Sequence, residues 1–120
     1  MSKKRYSIVV VDKKMKFSFL FKGLRKHKYS VLEAETVDEI TLNEITNFNL
    51  FFVVLYEFRD VFDLLLLNNN CSSNTSIIIA SENTKILKKA KKIACYPIVD
   101  LSGKININNN FHDCIQQFLE

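Results

Sequence analysis

Three stretches of this chain are apolar without interruption: Ser7–Val11 (Ser-Ile-Val-Val-Val), 50–55 (Leu-Phe-Phe-Val-Val-Leu) and 77–80 (Ile-Ile-Ile-Ala). A strand with one face in water alternates apolar and polar residues. A continuous β-branched run suits burial on both faces, as in a parallel sheet covered by helices. Residues 29–34 and 97–101 read as two shorter strands, and 50–55, the most apolar run, belongs in the middle of the sheet.

The segments between the strands carry helical spacing. Phe17, Leu20, Phe21 and Leu24 fall at i, i+3, i+4 and i+7, and Lys16, Lys22, Arg25 and Lys26 fill the other faces, which predicts an amphipathic helix closed by 27–29. Gly23 inside it costs ~1 kcal/mol relative to Ala. Thr36 and Glu39 have the spacing of a capping box opening a weak helix over 37–46. Further helices are expected at 60–67, ended by Asn68, Asn69 and Asn70, at 84–93, and at 111–119 with Phe111, Ile115, Phe118 and Leu119 inward. Residues 68–75 and 102–109 read as polar loops. A strand–helix pair repeated five times specifies a parallel sheet with helices on both faces and right-handed crossovers, here as one α/β domain over 1–120.

Composition removes several classes of function. With 48% apolar and 25% charged residues the chain can build a core, unlike a disordered one. It has only two Gly and one Pro, which argues against a turn-rich β architecture; Gly23 and Gly103 stand too far apart for a Gly-rich phosphate loop. Cys71, Cys95 and Cys114 are odd in number, lack metal-like spacing and read as small buried hydrophobes. Lys3, Lys4 and Arg5 precede only a short apolar run before Asp12, unlike a signal peptide, and no apolar stretch reaches the roughly 18 residues of a membrane span. A cytoplasmic protein with reduced thiols and no membrane contact is expected. His27 and His112 have no ligand-like partner except Cys114, and His112 and Cys114, two apart on a helix, cannot face one metal together. Ser81 with either His lacks a third orienting group. Neither an enzyme nor a bound metal or cofactor is expected.

Five βα units opening on Ile8-Val9-Val10-Val11-Asp12, with Tyr29-Ser-Val-Leu-Glu-Ala at the second strand and Ile77-Ile-Ile-Ala-Ser81 at the fourth, resemble the receiver domain of bacterial response regulators over essentially the whole chain. The resemblance implies a flavodoxin-like (βα)5 fold. It also implies a phosphoryl-accepting site built from five parts: two adjacent acids holding magnesium after the first strand, an acceptor Asp after the third, a Ser or Thr after the fourth and a Lys after the fifth. The metal and the Lys offset charge on the phosphoryl oxygens, and the hydroxyl bonds the acyl phosphate. In this chain Asp12 matches the first acid, but Lys13 stands in place of the second. The acceptor position falls on Leu55, or on Val54 with a one-residue slip. Ser81 keeps the hydroxyl, and the Lys position falls near Asp100 or Leu101. Glu57, two residues past the strand end, is the nearest carboxylate to the acceptor. These departures predict a pseudo-receiver in which Lys13 either pairs with Asp12 and Glu57, supplying the neutralisation magnesium gives the family, or simply points to solvent at the start of the loop.

Outside that pocket, Lys85, Lys88, Lys89 and Lys92 follow i, i+3, i+4 and i+7 and form a cationic stripe opposite Ile86, Ala90 and Ile93. With Tyr96 they make a candidate partner surface on the fourth-helix, fifth-strand and fifth-helix face. Net charge is +4, which permits an acidic protein partner, and a homodimer is open as well. Tyr56 and Phe58 are suited either to closing an apolar lid over the pocket or to offering a contact patch. The leading expectation is therefore a receiver-like signalling domain acting by phosphorylation-independent protein contact. The alternatives are a small-anion or metabolite site lined by Asp12, Lys13, Leu55, Ser81 and Asp100, and weak nucleic-acid binding through the lysine helix. The stripe holds no Arg and no interleaved aromatic, which disfavours the last.

Overall fold

The apolar runs become strands in a computed structural model of the protein, which describes residues 7–22, 30–36, 48–70, 75–93, 96–103 and 107–119. Strands β1 (Ser7–Val11), β2 (Ser30–Ala34), β3 (Leu50–Val54), β4 (Ser76–Ser81) and β5 (Ile98–Asp100) join in one parallel sheet of order β2-β1-β3-β4-β5. The most apolar run does take the central position. Its residues are buried on both faces, as the lack of polar alternation requires.

Side-chain parity divides the core. Val9, Val11, Phe51, Val53, Leu55, Ile77 and Ile79 pack under two helices, α1 (Val61–Asn70) and α2 (Thr84–Ile93), through Val61, Leu64, Leu67, Ile86, Leu87 and Ala90. Ile8, Val10, Leu50, Phe52, Val54, Ile78 and Ala80 face the opposite way. They meet Phe17, Leu20, Phe21 and the first half of helix α3 (Ile107–Leu119). There Phe21, Phe52 and Phe111 meet edge to face, with centroids 4.8–5.4 Å apart. Each such ring pair contributes about 0.5–1.5 kcal/mol beyond area burial.

Three expected boundaries are corrected. α1 does not stop at the Asn run but continues through Asn68, Asn69 and Asn70. The Val61, Leu64, Leu67 stripe anchors it, and Tyr96 Oη donates to Asn68 Oδ1 at 2.5 Å, using one Asn side chain that would otherwise compete for backbone. α3 begins at Ile107, inside the expected loop, because Ile107 packs against the Phe cluster. The segment after β1 does not enter an α-helix at Phe17: residues Ser18–Phe21 make one 3-10 turn, because the preceding loop is tied to Asp12, as described below.

The rest of the first amphipathic helix with Gly23, Leu24 and His27, the helix over 37–46 with Glu39, the loop at 71–74 with Cys71, and Cys95 lie outside the described residues. So do the side chains of Ile93, Phe118 and Leu119. Among the described residues no helix is long and apolar enough to cross a membrane.

Candidate functional site

The strand order places the C-terminal ends of β1, β3 and β4 side by side, the edge at which open α/β sheets bind ligands. Asp12, the first residue after β1, is buried at 1% exposure, and both its carboxylate oxygens are used. Oδ2 accepts the backbone N–H of Lys16 at 2.9 Å and of Phe17 at 3.0 Å. Oδ1 accepts the N–H of Lys14 at 3.1 Å and the Tyr56 hydroxyl. Asp12 also accepts from Met15 N–H through its own carbonyl, closing a turn in which Met15 sits at φ 50°. A left-handed non-glycine residue costs about 1–2 kcal/mol, which the carboxylate's three amide bonds offset.

Lys13 does not pair with Asp12. Its ammonium reaches the other way, to Glu57 Oε2 at 2.9 Å and Asp60 Oδ1 at 3.1 Å. The hydrogen bond from Lys13 and then that from Arg59 hold the Glu57 carboxyl below its usual range. Burial pushes the Asp60 carboxyl up, but the N–H groups of Glu57 and Tyr56, both 2.8 Å from Oδ2, and the Lys13 ammonium outweigh it and leave it lowered. Lys13 is raised in turn, chiefly by its bond to Glu57. Asp60 is the member of this group that the sequence reading missed. It reads as a helix start; its spacing to the amides of Tyr56 and Glu57 is the available signal.

Tyr56 closes over Asp12 as a lid. Burial and then its bond to Asp12 push the phenol well above the ordinary tyrosine value, so it stays a donor. Lys14 Nζ lies 4.7 Å from the ring centroid and Lys13 Nζ 5.8 Å. Phe58 turns outward instead, half exposed, with Lys89 Nζ 5.3 Å from its ring.

Leu55, where the resemblance puts a phosphoacceptor, is 1% exposed and belongs to the cluster under α1 and α2. Ser81 is wholly buried. Its hydroxyl donates to Leu55 O at 2.6 Å and accepts Asn83 N–H at 3.0 Å, and Asn83 Oδ1 then accepts from Lys85 N–H to open α2. Asp100 does not join these residues. Its Oδ1 accepts the N–H and hydroxyl of Ser102, and it borders an open groove of about 470 Å³ with Asn110, Asp113 and Cys114. Among the described residues no buried side-chain nitrogen or oxygen lacks a partner.

A magnesium ion of the kind the resemblance implies does not fit this arrangement. An ammonium stands where the second carboxylate would be, and both oxygens of Asp12 are held by amides and a phenol. On α2, Lys85, Lys88, Lys89 and Lys92 are exposed while Ile86, Leu87 and Ala90 are buried. Tyr96 is half-buried on the α1–α2 side, with its hydroxyl on Asn68. On α3, His112 is exposed, and burial raises the Cys114 thiol.

No protein-family model and no curated protein matches this chain. Solved structures do. A de novo designed Rossmann 2x3 fold protein aligns with TM-score 0.67 at 13% identity, covering 97% of this chain and 90% of its own. A response regulator from Burkholderia pseudomallei, solved with a phosphorylated aspartic acid, a calcium ion and citrate, also gives 0.67, at 17% identity over 91% of this chain and 66% of that one. At such identities the likeness is one of fold: this chain has the flavodoxin-like arrangement of five parallel strands that a response regulator also has.

Proposed function

We propose that this chain is a receiver-like signalling domain that acts by contact with a partner protein and takes up no phosphoryl group. The observation that carries the reading is the burial of Leu55 at the end of β3, its side chain committed to the core under α1 and α2. A phosphoryl acceptor there needs a carboxylate facing solvent and a cation; the position offers neither. Around it, Lys13 and Arg59 balance the charges of Glu57 and Asp60, an arrangement that calls for no metal. On this reading the domain has no turnover. Its working surface includes the lysine row Lys85, Lys88, Lys89 and Lys92, near Tyr96.

The test is incubation with magnesium and acetyl phosphate or beryllofluoride, followed by intact mass and amide NMR spectra. The expected result is an unchanged mass and no shift at 12–16, 55–57 or 81–83. A stoichiometric adduct, on Glu57 or Asp60 for instance, overturns the reading and returns the domain to phosphotransfer.

A further inference from the structure

Helix α1 is apolar on more than its buried side. Val61, Leu64 and Leu67 face the sheet, yet Phe62 is 69% exposed and Leu65 44%, and Phe58 in the turn before them is 52% exposed. Phe62 and Leu65, three residues apart, share one face of α1, and Phe58, in the 3-10 turn just before it, extends the exposed apolar row. Apolar side chains gathered in the open like this mark a contact surface.

The neighbouring helix supplies charge. α1 and α2 cover the same face of the sheet; Lys89 of α2 lies 5.3 Å from the ring of Phe58, in the turn just before α1, and Tyr96, past the end of α2, donates through Oη to Asn68 of α1 at 2.5 Å. Lys85, Lys89 and Lys92 repeat at i, i+4 and i+7 on α2 and are exposed, a cationic row about 10 Å long that meets the apolar residues at Lys89 and Phe58.

We propose that the seam between α1 and α2 docks an acidic amphipathic helix of a partner protein. Phe58, Phe62 and Leu65 take its apolar residues, and Lys85, Lys89 and Lys92 take the flanking carboxylates. This names the partner class for the contact reading above and rests on it. Matching rows of apolar and cationic residues select an occupant with apolar anchors on one side and Asp or Glu on the next. A second copy would bring its own lysine row and a net charge of +4 against this one.

The full chain is titrated, by fluorescence anisotropy, into a labelled peptide with Leu at i, i+3, i+4 and i+7 and Glu at the flanking positions, and into its Lys-for-Glu counterpart. The Glu peptide should bind saturably, at least about tenfold tighter than the Lys peptide, and weaken as salt rises. Phe62→Ser and Lys89→Glu should each lose at least about fivefold, whereas Lys91→Glu, the same charge change two residues along the helix, loses less. Phe62 and Lys89 are exposed, and circular dichroism checks that both variants stay folded.

No binding, equal binding of both peptides, or indifference to Phe62→Ser and Lys89→Glu overturns the proposal. Sedimentation with phosphatidylserine vesicles that depends on Phe62 while the peptide fails overturns it in favour of a membrane. Self-association abolished by Phe62→Ser overturns it in favour of a second copy. Binding that appears only with magnesium and beryllofluoride keeps the seam and overturns phosphorylation independence, so the two failures are separable.

Discussion

Replacing Asp12 with Ala separates a metal-ligand acid from one that organises a loop. The carboxylate accepts three backbone amides, from Lys14, Lys16 and Phe17, and the Tyr56 hydroxyl, at a site 1% exposed. A hydrogen bond to a charged group is worth about 1.5–3 kcal/mol, less where water can reach the freed donor. The Phe17 N–H is buried, whereas those of Lys14 and Lys16 lie at the edge. Taking the lower figure for Phe17 and about half of it for each of the others gives a loss of about 3 kcal/mol, before any strain released at Met15. Asp12→Asn keeps one oxygen for Lys16 and Phe17 and should lose about 1–2 kcal/mol. Urea unfolding followed by circular dichroism reads both. At a slope of about 2 kcal/mol per molar, the Ala midpoint drops by roughly 1.5 M with an unchanged slope. An acid held for an ion it lacks would be relieved by its removal. An Ala variant as stable as the parent, or more stable, would refute the assignment.

Three further outcomes follow from the same contacts. Glu57 and Asp60 carry lowered carboxyl pKa values, so the stability they contribute is present above the ordinary carboxylate range and lost as pH falls through their folded values. Lys13→Met should flatten that acid-side loss and move both carboxyl titrations upward, as followed by carbon NMR of the side chains. Ser81→Ala frees a buried Asn83 N–H and takes the donor from Leu55 O, and should cost about 1–3 kcal/mol in thermal or urea unfolding. Phe111→Ala removes two of the three ring contacts in the aromatic cluster and should cost about 3–5 kcal/mol, whereas Phe62→Ala, on an exposed ring, should stay within about 0.5 kcal/mol.

β1, β3 and β4 were legible because burial on both faces leaves a signal in nearly every residue: 50–55 has no polar position to misread. α2 was equally plain, since Ile86 and Ala90 stand out against five lysines. The start of α1 and the loop after β1 were less so, because the determinants there are side chains bonding backbone. Asp60 reads as a helix residue until its oxygen is seen on the amides of Tyr56 and Glu57. Asp12 reads as a vestigial ligand until the Lys14, Lys16 and Phe17 amides converge on it. Of the two carboxylates the sequence offers Lys13, the ammonium meets Glu57 and not Asp12: the turn folded around Asp12 sends it away from that acid and onto Asp60. The excess of apolar residues in α1 was visible as Val-Phe-Asp-Leu-Leu-Leu-Leu, but not which of them face outward.

The order of the sheet bears also on how the chain is made. Among the described residues no strand pairs with a neighbour across a hairpin: Ser7 sits against Ser30, Ile8 against Leu50, Leu50 against Ser76 and Ile79 against Ile98. β1, made before its inner neighbour, therefore waits for residue 50 before that edge is satisfied. At about 5–20 residues per second that is an interval of seconds. Throughout it a run of Ile and Val is open to other nascent chains, so recovery of native protein should be limited by translation speed and holdase supply before it is limited by final stability.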